Sequence, residues 1–336
     1  MSRSTAVLTT FSPLFLLAIG AGCPDTPSGG EGEGDVVGEG EGGEGEGGDG
    51  EGEGGEGEGG EGEGEVVGTH TAVIDGVLHL SSELPIRVSD CGFNDACDDV
   101  DEDGLVDAWE NAALDRLRPI LRFDEAEPFF FDGSAPVLGV VGRVAPISLE
   151  PLDVRVWLML GYSVDYGTCG GFTGHNGDSE RVVLRLSADG DGVVVSGAFT
   201  TGHEGTTNDQ SRTFTGSALA DLVYGFDPAT FEPRWVVFPS AAKHATYPDV
   251  ASCEAVSDVI CVDEDCGADN VGDPSLFDRL PAFVNAGEPT LPLVTSLSAL
   301  GFAGDDAWLP QDFCGGRDRT VECSAPVRDK LIDDPL

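Results

Sequence analysis

The sequence predicts a mostly β protein: a single jelly-roll-like β-sandwich domain with long loops, preceded by an acidic loop and one short helix. Three observations lead there. Short apolar or alternating runs (LRF, FFF, VLGVVGRV, LDVRVWLML, RVVLRL, VVVSGAF and RWVVF) are divided by Pro, Gly and Asp. Leu152, Val154, Val156, Leu158 and Leu160 repeat at every second position with Arg155 on the other face, the period of a strand. Stretches with a helical period are few, which favours a sandwich over an α/β enzyme. Trp157, Tyr162, Trp235 and Phe238 read as core or site-wall residues.

Residues 1–22 carry Arg3, an apolar run through Ile19, and the small residues Gly20, Ala21 and Gly22 ahead of Cys23. This is the layout of a secretory signal, too short for a membrane span of the mature chain. It resembles the bacterial lipoprotein signal, which implies acylation at Cys23, a membrane partner through the lipid, and placement at the outer membrane or cell surface. The remaining cysteines, Cys91, Cys97, Cys169, Cys253, Cys261, Cys266, Cys314 and Cys323, are even in number, as a disulfide-bonded exported chain requires. Short separation pairs Cys91 with Cys97 and Cys314 with Cys323. The spacing of Cys261 and Cys266 also suits zinc, but the acidic surroundings and exported context favour disulfides.

Residues 23–68 are a Gly- and Glu-rich linker. Glycine entropy and mutual repulsion of the acids prevent a core, so this segment reads as a flexible spacer. Of the formal net charge of −45, the sixteen acids of the linker and Arg3 account for −15, so residues 69–336 carry −30. Such a field excludes nucleic acid as a partner, because binding to phosphate backbones draws on Lys and Arg. It attracts cations.

In residues 69–90, TAVIDGVLHL breaks at Asp75-Gly76 and predicts a short hairpin. Residues 91–118 hold the most specific motif, DDVDEDGLVDAWE. Asp99, Asp101, Asp103, Gly104, Asp107 and Glu110 fall at positions 1, 3, 5, 6, 9 and 12 of the EF-hand loop, with apolar Val106 at position 8. Alternating Asp side chains converge as such a loop curls, Gly104 permits the turn, and Glu110 closes the shell. Calcium is the expected cofactor. The residues before the loop do not form a first helix; those after it do, through Ala108, Ala112, Leu114 and Leu117 to a stop at Pro119. This one-sided arrangement resembles the calcium loops of dockerins and thrombospondin-type repeats, which implies a structural staple.

Residues 119–336 contain a second polar centre. In GHNGDSE, His175, Asp178 and Glu180 offer one imidazole and two carboxylates, the last two on one side of an extended segment. These ligand types suit a second divalent metal, and equally a buried hydrogen-bond network. His203 and His244 sit in turns that can join them. Lys243 competes with a metal by pairing with Asp178 or Glu180.

LRPILRFDEAEPFF, GHNGDSERVVL, WVVFPSAAKHATYP, FVNAGEP and GDDAWLPQDFCGG together resemble a vacuolar-protein-sorting-related β-rich family of largely unknown function. GHNGDSE is also distantly similar to the GHRHDWE signature of necrosis-inducing proteins. That likeness implies a β-sandwich with a divalent ion on His175, Asp178 and Glu180; Gly177 and Ser179 replace the second His and the Trp.

Enzyme signatures are weak. Ser240 and Lys243 have the SxxK spacing without its companion motifs, and no GxSxG, HExxH or P-loop pattern occurs. The expected function is therefore an exported envelope lipoprotein that binds calcium and a glycan or other envelope ligand without turning it over. The alternatives are a metal-dependent hydrolase acting on glycans and a purely structural envelope protein.

Overall fold

The structure is a computed structural model that describes residues 68–93, 97–128, 137–167, 174–204, 209–255, 264–267, 276–287, 314–315 and 325–336. The leader, Cys23, the linker, the FFF run, Cys169, Cys261 and Cys323 lie outside the described residues. No helix among those described is long and apolar enough to cross a membrane.

The fold is mostly β, with two principal sheets. Thr69–Ile74 (β1) and Val77–Ser82 (β2) form the expected hairpin. Asp75 and Gly76 both have positive φ, 52° and 75°, which matches the twist of a two-residue turn. Asp107–Leu117 (α1) and Ile120–Arg122 (β3) follow. Four long strands come next, Val137–Leu149 (β4), Leu152–Asp165 (β5), His175–Asp189 (β6) and Gly192–Thr200 (β7). Then come Arg212–Thr215 (β8), Tyr224–Phe226 (β9), Pro233–Pro239 (β10), Thr246–Tyr247 (β11) and Val250–Glu254 (α2). Asp278–Arg279 (β12), Phe283–Asn285 (β13), Cys314–Gly315 (β14), Ala325–Pro326 (β15) and Val327–Lys330 (α3) complete the described elements.

The larger sheet runs β1-β2-β7-β6-β5-β4-β13, with β8 also on β7. The hairpin of residues 69–82 is thus the margin of the main sheet, joined through His79 and Leu80 to β7. The smaller sheet runs β11-β10-β3-β12, with β9 on β10. Val154, Val156, Leu158 and Leu160 of β5 face the core with Val182, Leu184 and Leu186 of β6, and the whole stripe is buried. Trp109, Leu114 and Leu117 of α1 and Trp235 and Val237 of β10 complete that core. Val236 and Phe238, on the opposite side of β10, pack a smaller cluster with Ile120 and Tyr247.

Two local expectations shift. The buried face of α1 is Trp109, Glu110, Ala113, Leu114 and Leu117, while Ala108 is exposed and Ala112 only half-buried. The helix is phased by Trp109 and Leu114 entering the core, not by its small residues. Nor is the other face of β5 open: Arg155 and Trp157 lie under the carboxyl-terminal residues, where Trp157 Nε1 donates to Asp333 O at 3.0 Å and Arg155 meets Asp334 at 2.9 Å.

The structure has disulfides Cys91–Cys97, as their short separation predicts, and Cys253–Cys266. Cys266 therefore joins Cys253 and not its nearer neighbour Cys261. Cys314 lies in β14, and a bond to Cys323 falls outside the described residues.

Helix α1 meets the sheet at a glycine. A Cβ on Gly142 would lie 2.4 Å from Leu114 Cδ2, and Leu114 is fully buried, so it cannot swing away. Gly142→Ala is expected to cost about 1–3 kcal/mol by overpacking. Denaturant melts of the two proteins check this, and equal midpoints would contradict the packing described.

Candidate metal centre

The acidic loop closes on itself before any cation is considered. Asp99 accepts the N–H of Asp103 at 3.0 Å through Oδ1 and that of Gly104 at 3.1 Å through Oδ2. Asp103 Oδ1 accepts from Leu105 N at 2.9 Å, and Asp107 Oδ1 from Val100 N at 3.1 Å. Gly104 has φ 95°, and a Cβ there would meet Leu149 Cδ1 at 2.7 Å, so glycine is required for both backbone and space. The far side of the loop is held by a short extended strap: Val88 N–H donates to Gly104 O at 3.0 Å, and Val106 N–H to Ile86 O at 3.1 Å. The Cys91–Cys97 disulfide ties that strap to the residues entering the loop.

These bonds leave carboxylate oxygens over. Asp99, Asp101 and Asp107 form one group, and Asp101, Asp103 and Glu110 another, each with ligand atoms within 4.8 Å of one another. Asp101 Oδ1, Asp103 Oδ2 and Glu110 Oε1 are buried without a hydrogen-bond partner. Burial, then the charges of Asp103, Asp101 and Asp107, push the Glu110 carboxyl up to about 9. Burial pushes Asp103 up to about 6, and burial with Asp99 and Asp107 raises Asp101. Ionised carboxylates with an oxygen buried away from any donor are costly to keep, and a divalent cation among them offsets that cost. The residues therefore fit a hard cation with oxygen ligands.

One neighbour was not foreseen from the sequence. Asn285 of β13, with Val100, Asn111 and Phe283, lines a cleft beside Glu110 and the loop. Its signal was the FVNAGEP segment, which carries no metal-ligand pattern of its own.

The second centre lies where β5 and β6 meet the turn between β10 and β11. Asp178 pairs with Tyr162 and Glu180 with Leu160, so both carboxylates end the core-facing stripe on one side, as the strand period requires. Both are 8% exposed. The Thr201 hydroxyl donates to Glu180, whose carboxyl is raised by burial and by Asp178 against the lowering effect of Lys330. His203 Nε2 meets Glu264 Oε1 at 2.8 Å; burial lowers its pKa, but the Glu264 bond and charge leave it raised. His244 is fully buried, stacks on Tyr162 with ring centroids 4.1 Å apart, and meets Glu127 at 3.3 Å.

The partners thus differ from those expected. Among the described residues Lys243 makes no ion pair with Asp178 or Glu180; it is Lys330 that faces Glu180 and donates to Ser179 O. Glu127, Glu264 and Lys330 lie far along the chain from GHNGDSE, and none of them was singled out in the sequence. His175 occupies the first position of β6 opposite Asp165, and its side chain lies outside the described residues. Among those described, no three His, Asp or Glu groups of this centre come within 4.8 Å of one another.

The chain matches no protein-family profile, no curated protein and no solved structure.

The raised Glu110 carboxyl makes stability depend on pH in a defined direction. Between its ordinary 4.5 and about 9, the ion-free fold keeps a proton that the unfolded chain has released. Stability therefore falls as pH rises through that window, by at most ~1.4 kcal/mol per pH unit. Asp103 adds in the same direction between 3.8 and about 6. A bound cation takes the place of the protons and flattens the slope. Thermal melts at pH 5 to 8 and fixed ionic strength are expected to fall more steeply in chelator than with divalent cation; parallel slopes would overturn the account.

Proposed function

We propose that this chain is an exported, lipid-anchored envelope protein whose Asp99–Glu110 loop holds calcium and thereby fixes α1 against a β-sandwich domain of jelly-roll type. The observation that carries the reading is the set of three buried, unpartnered oxygens on Asp101, Asp103 and Glu110. Their all-oxygen character and the alternating spacing favour calcium over zinc, and over magnesium, which prefers to keep its own waters. An exported location supplies calcium continuously, so the ion serves as a staple and not as a switch.

In the same proposal the second centre is structural. Asp178, Glu180 and His244 are covered, and each described pair holds the β10–β11 turn or the segment after β7 in place. An envelope glycan is the ligand class we favour, and the cleft beside the loop brings Asn111, Phe283 and Asn285 next to the ion where sugar hydroxyls could meet it. We read the protein as binding that ligand without cleaving it.

Calcium at a hundredfold excess over its Kd should stabilise the fold by about 2.7 kcal/mol, or roughly 5–10 °C in Tm. Asp99→Ala and Glu110→Ala are expected to abolish the gain, and magnesium to give a smaller one. Calorimetry showing no calcium binding to the wild type would remove the reading. Export is checked separately: intact mass of the membrane fraction should show acyl chains on a polypeptide beginning at Cys23, and a soluble product with another start would rule the anchor out.

A further inference from the structure

Two connections hold the acidic loop from outside without using its carboxylates. The strap pairs with it as an antiparallel bridge centred on Arg87 and Leu105, through Val88 N–H on Gly104 O at 3.0 Å and Val106 N–H on Ile86 O at 3.1 Å. That strap is itself seated on the sheet, because Arg87 Nη1 donates to Leu149 O of β4 at 3.2 Å while Nε and Nη2 grip Asp90, each at 2.8 Å. Cys91 follows at once, with its N–H on Val88 O at 3.3 Å, and its disulfide reaches Cys97, two residues before Asp99. Just past Cys97, Asp98 O accepts Asp107 N–H at 2.9 Å. The bond is thus the covalent link between a strap fixed to the sheet and the entry of a loop whose five ligand carboxylates repel one another. The two described disulfides also differ in access: Cys253 and Cys266 are 0% and 2% exposed, whereas Cys91 and Cys97 are only half-buried. A reductant in solution meets the pair beside the loop first.

We infer that the Cys91–Cys97 bond is a redox latch on the cation site: closed, it ties the loop entry to the strap and keeps calcium affinity high; opened by a dithiol, it lets the carboxylates spread and the ion leave. The inference rests on the loop being a cation site, and it names how that site is regulated. One thiolate of the dithiol attacks a sulfur of the pair and the other cysteine leaves; the second thiol of the reductant then displaces the first cysteine. Two electrons and two protons reach Cys91 and Cys97, and the reductant becomes a disulfide. Where the calcium supply is steady, affinity is the quantity left to vary. Exported calcium modules bind with Kd of about 10⁻⁴–10⁻³ M, so at a supply of that order a tenfold change in affinity moves the loop between filled and largely empty.

The test is calcium calorimetry on the full mature chain with the bond closed and with it opened. Cys91→Ser/Cys97→Ser is expected to weaken calcium binding about tenfold, the equivalent of about 1.4 kcal/mol. The loss should appear in the binding entropy, because the ion must then order the loop entry itself. Wild type treated with dithiothreitol until Cys91 and Cys97, but not Cys253 and Cys266, take up iodoacetamide should show the same weakening. A bond that only stabilises the fold would lower the melting temperature equally in calcium and in chelator and leave the Kd unchanged; that result overturns the inference and leaves the loop reading intact. Labelling of Cys253 and Cys266 ahead of Cys91 and Cys97 overturns it too. Absence of calcium binding by the wild type overturns both. If the double variant does not fold, the reduced and alkylated wild type is measured in its place.

Discussion

The Asp99–Glu110 loop gathers five carboxylates at ligand positions and contains no Lys or Arg, yet α1 must begin inside it with Glu110 turned toward the interior. Helix phase enforces this. Trp109, Ala113 and Leu114 enter the core, and Glu110 shares their side of the helix. The junction between helix and sheet is therefore only as firm as whatever offsets the charge there. Protons do so in part, which is the meaning of the raised Glu110, Asp103 and Asp101 carboxyls. A cation does so without withdrawing charge from Asp99 and Asp107.

The rest of the folded chain handles its acids differently. With only 17 Lys and Arg against 62 Asp and Glu, bases are scarce, and the described ones are concentrated on buried or half-buried carboxylates. Arg234 meets Asp227 at 2.7 Å, Arg181 meets Glu204 at 2.5 Å, Arg122 meets Asp278 at 2.7 Å, and Arg155 is shared between Asp153 and Asp334. Arg122 and Asp278 are cross-strand partners of β3 and β12, Arg234 and Asp227 brace the β9–β10 pairing, and Arg155 joins β5 to the residues after α3. The second centre follows the same rule, with His203 on Glu264, His244 on Glu127 and Lys330 facing Glu180. In these pairs a protein cation meets a buried or half-buried acid. Among the described residues no ion pair is formed by the loop carboxylates at ligand positions, and Arg143 offsets the Asp103 charge only in part.

This contrast also explains what was legible in the sequence. The loop is local: every ligand falls within twelve residues, so register alone brings the side chains together, and the Asp75-Gly76 hairpin and the β5 stripe are local in the same sense. Asp178 and Glu180 were placed on one face for the same reason. The partners within this centre were not legible, because Lys330 reaches Glu180, Glu264 reaches His203 and Glu127 reaches His244 only through sheet order and loop packing. Lys243 was the nearer basic residue by motif, yet the turn, fixed by Ala241 N–H on Asp265 O and Ala242 N–H on Glu127, brings His244 and not Lys243 against Tyr162 beside Asp178. The burial of Arg155 was hidden likewise, since it depends on residues that return from the far end of the chain.

Gly142 shows how these levels connect. Leu114 lies over it from α1, and its carbonyl accepts Ala286 N–H from the residue after β13. One backbone position thus carries the helix that bears Glu110 and the edge strand that bears Asn285. The two side chains line one cleft because their supports are both seated on β4. The parallel β13–β4 pairing is short, three residues on each strand, and has few backbone bonds of its own. It is held besides by Val140 N–H on Ala282 O at one end and Ala286 N–H on Gly142 O at the other, so the cleft wall that faces the loop is seated on β4.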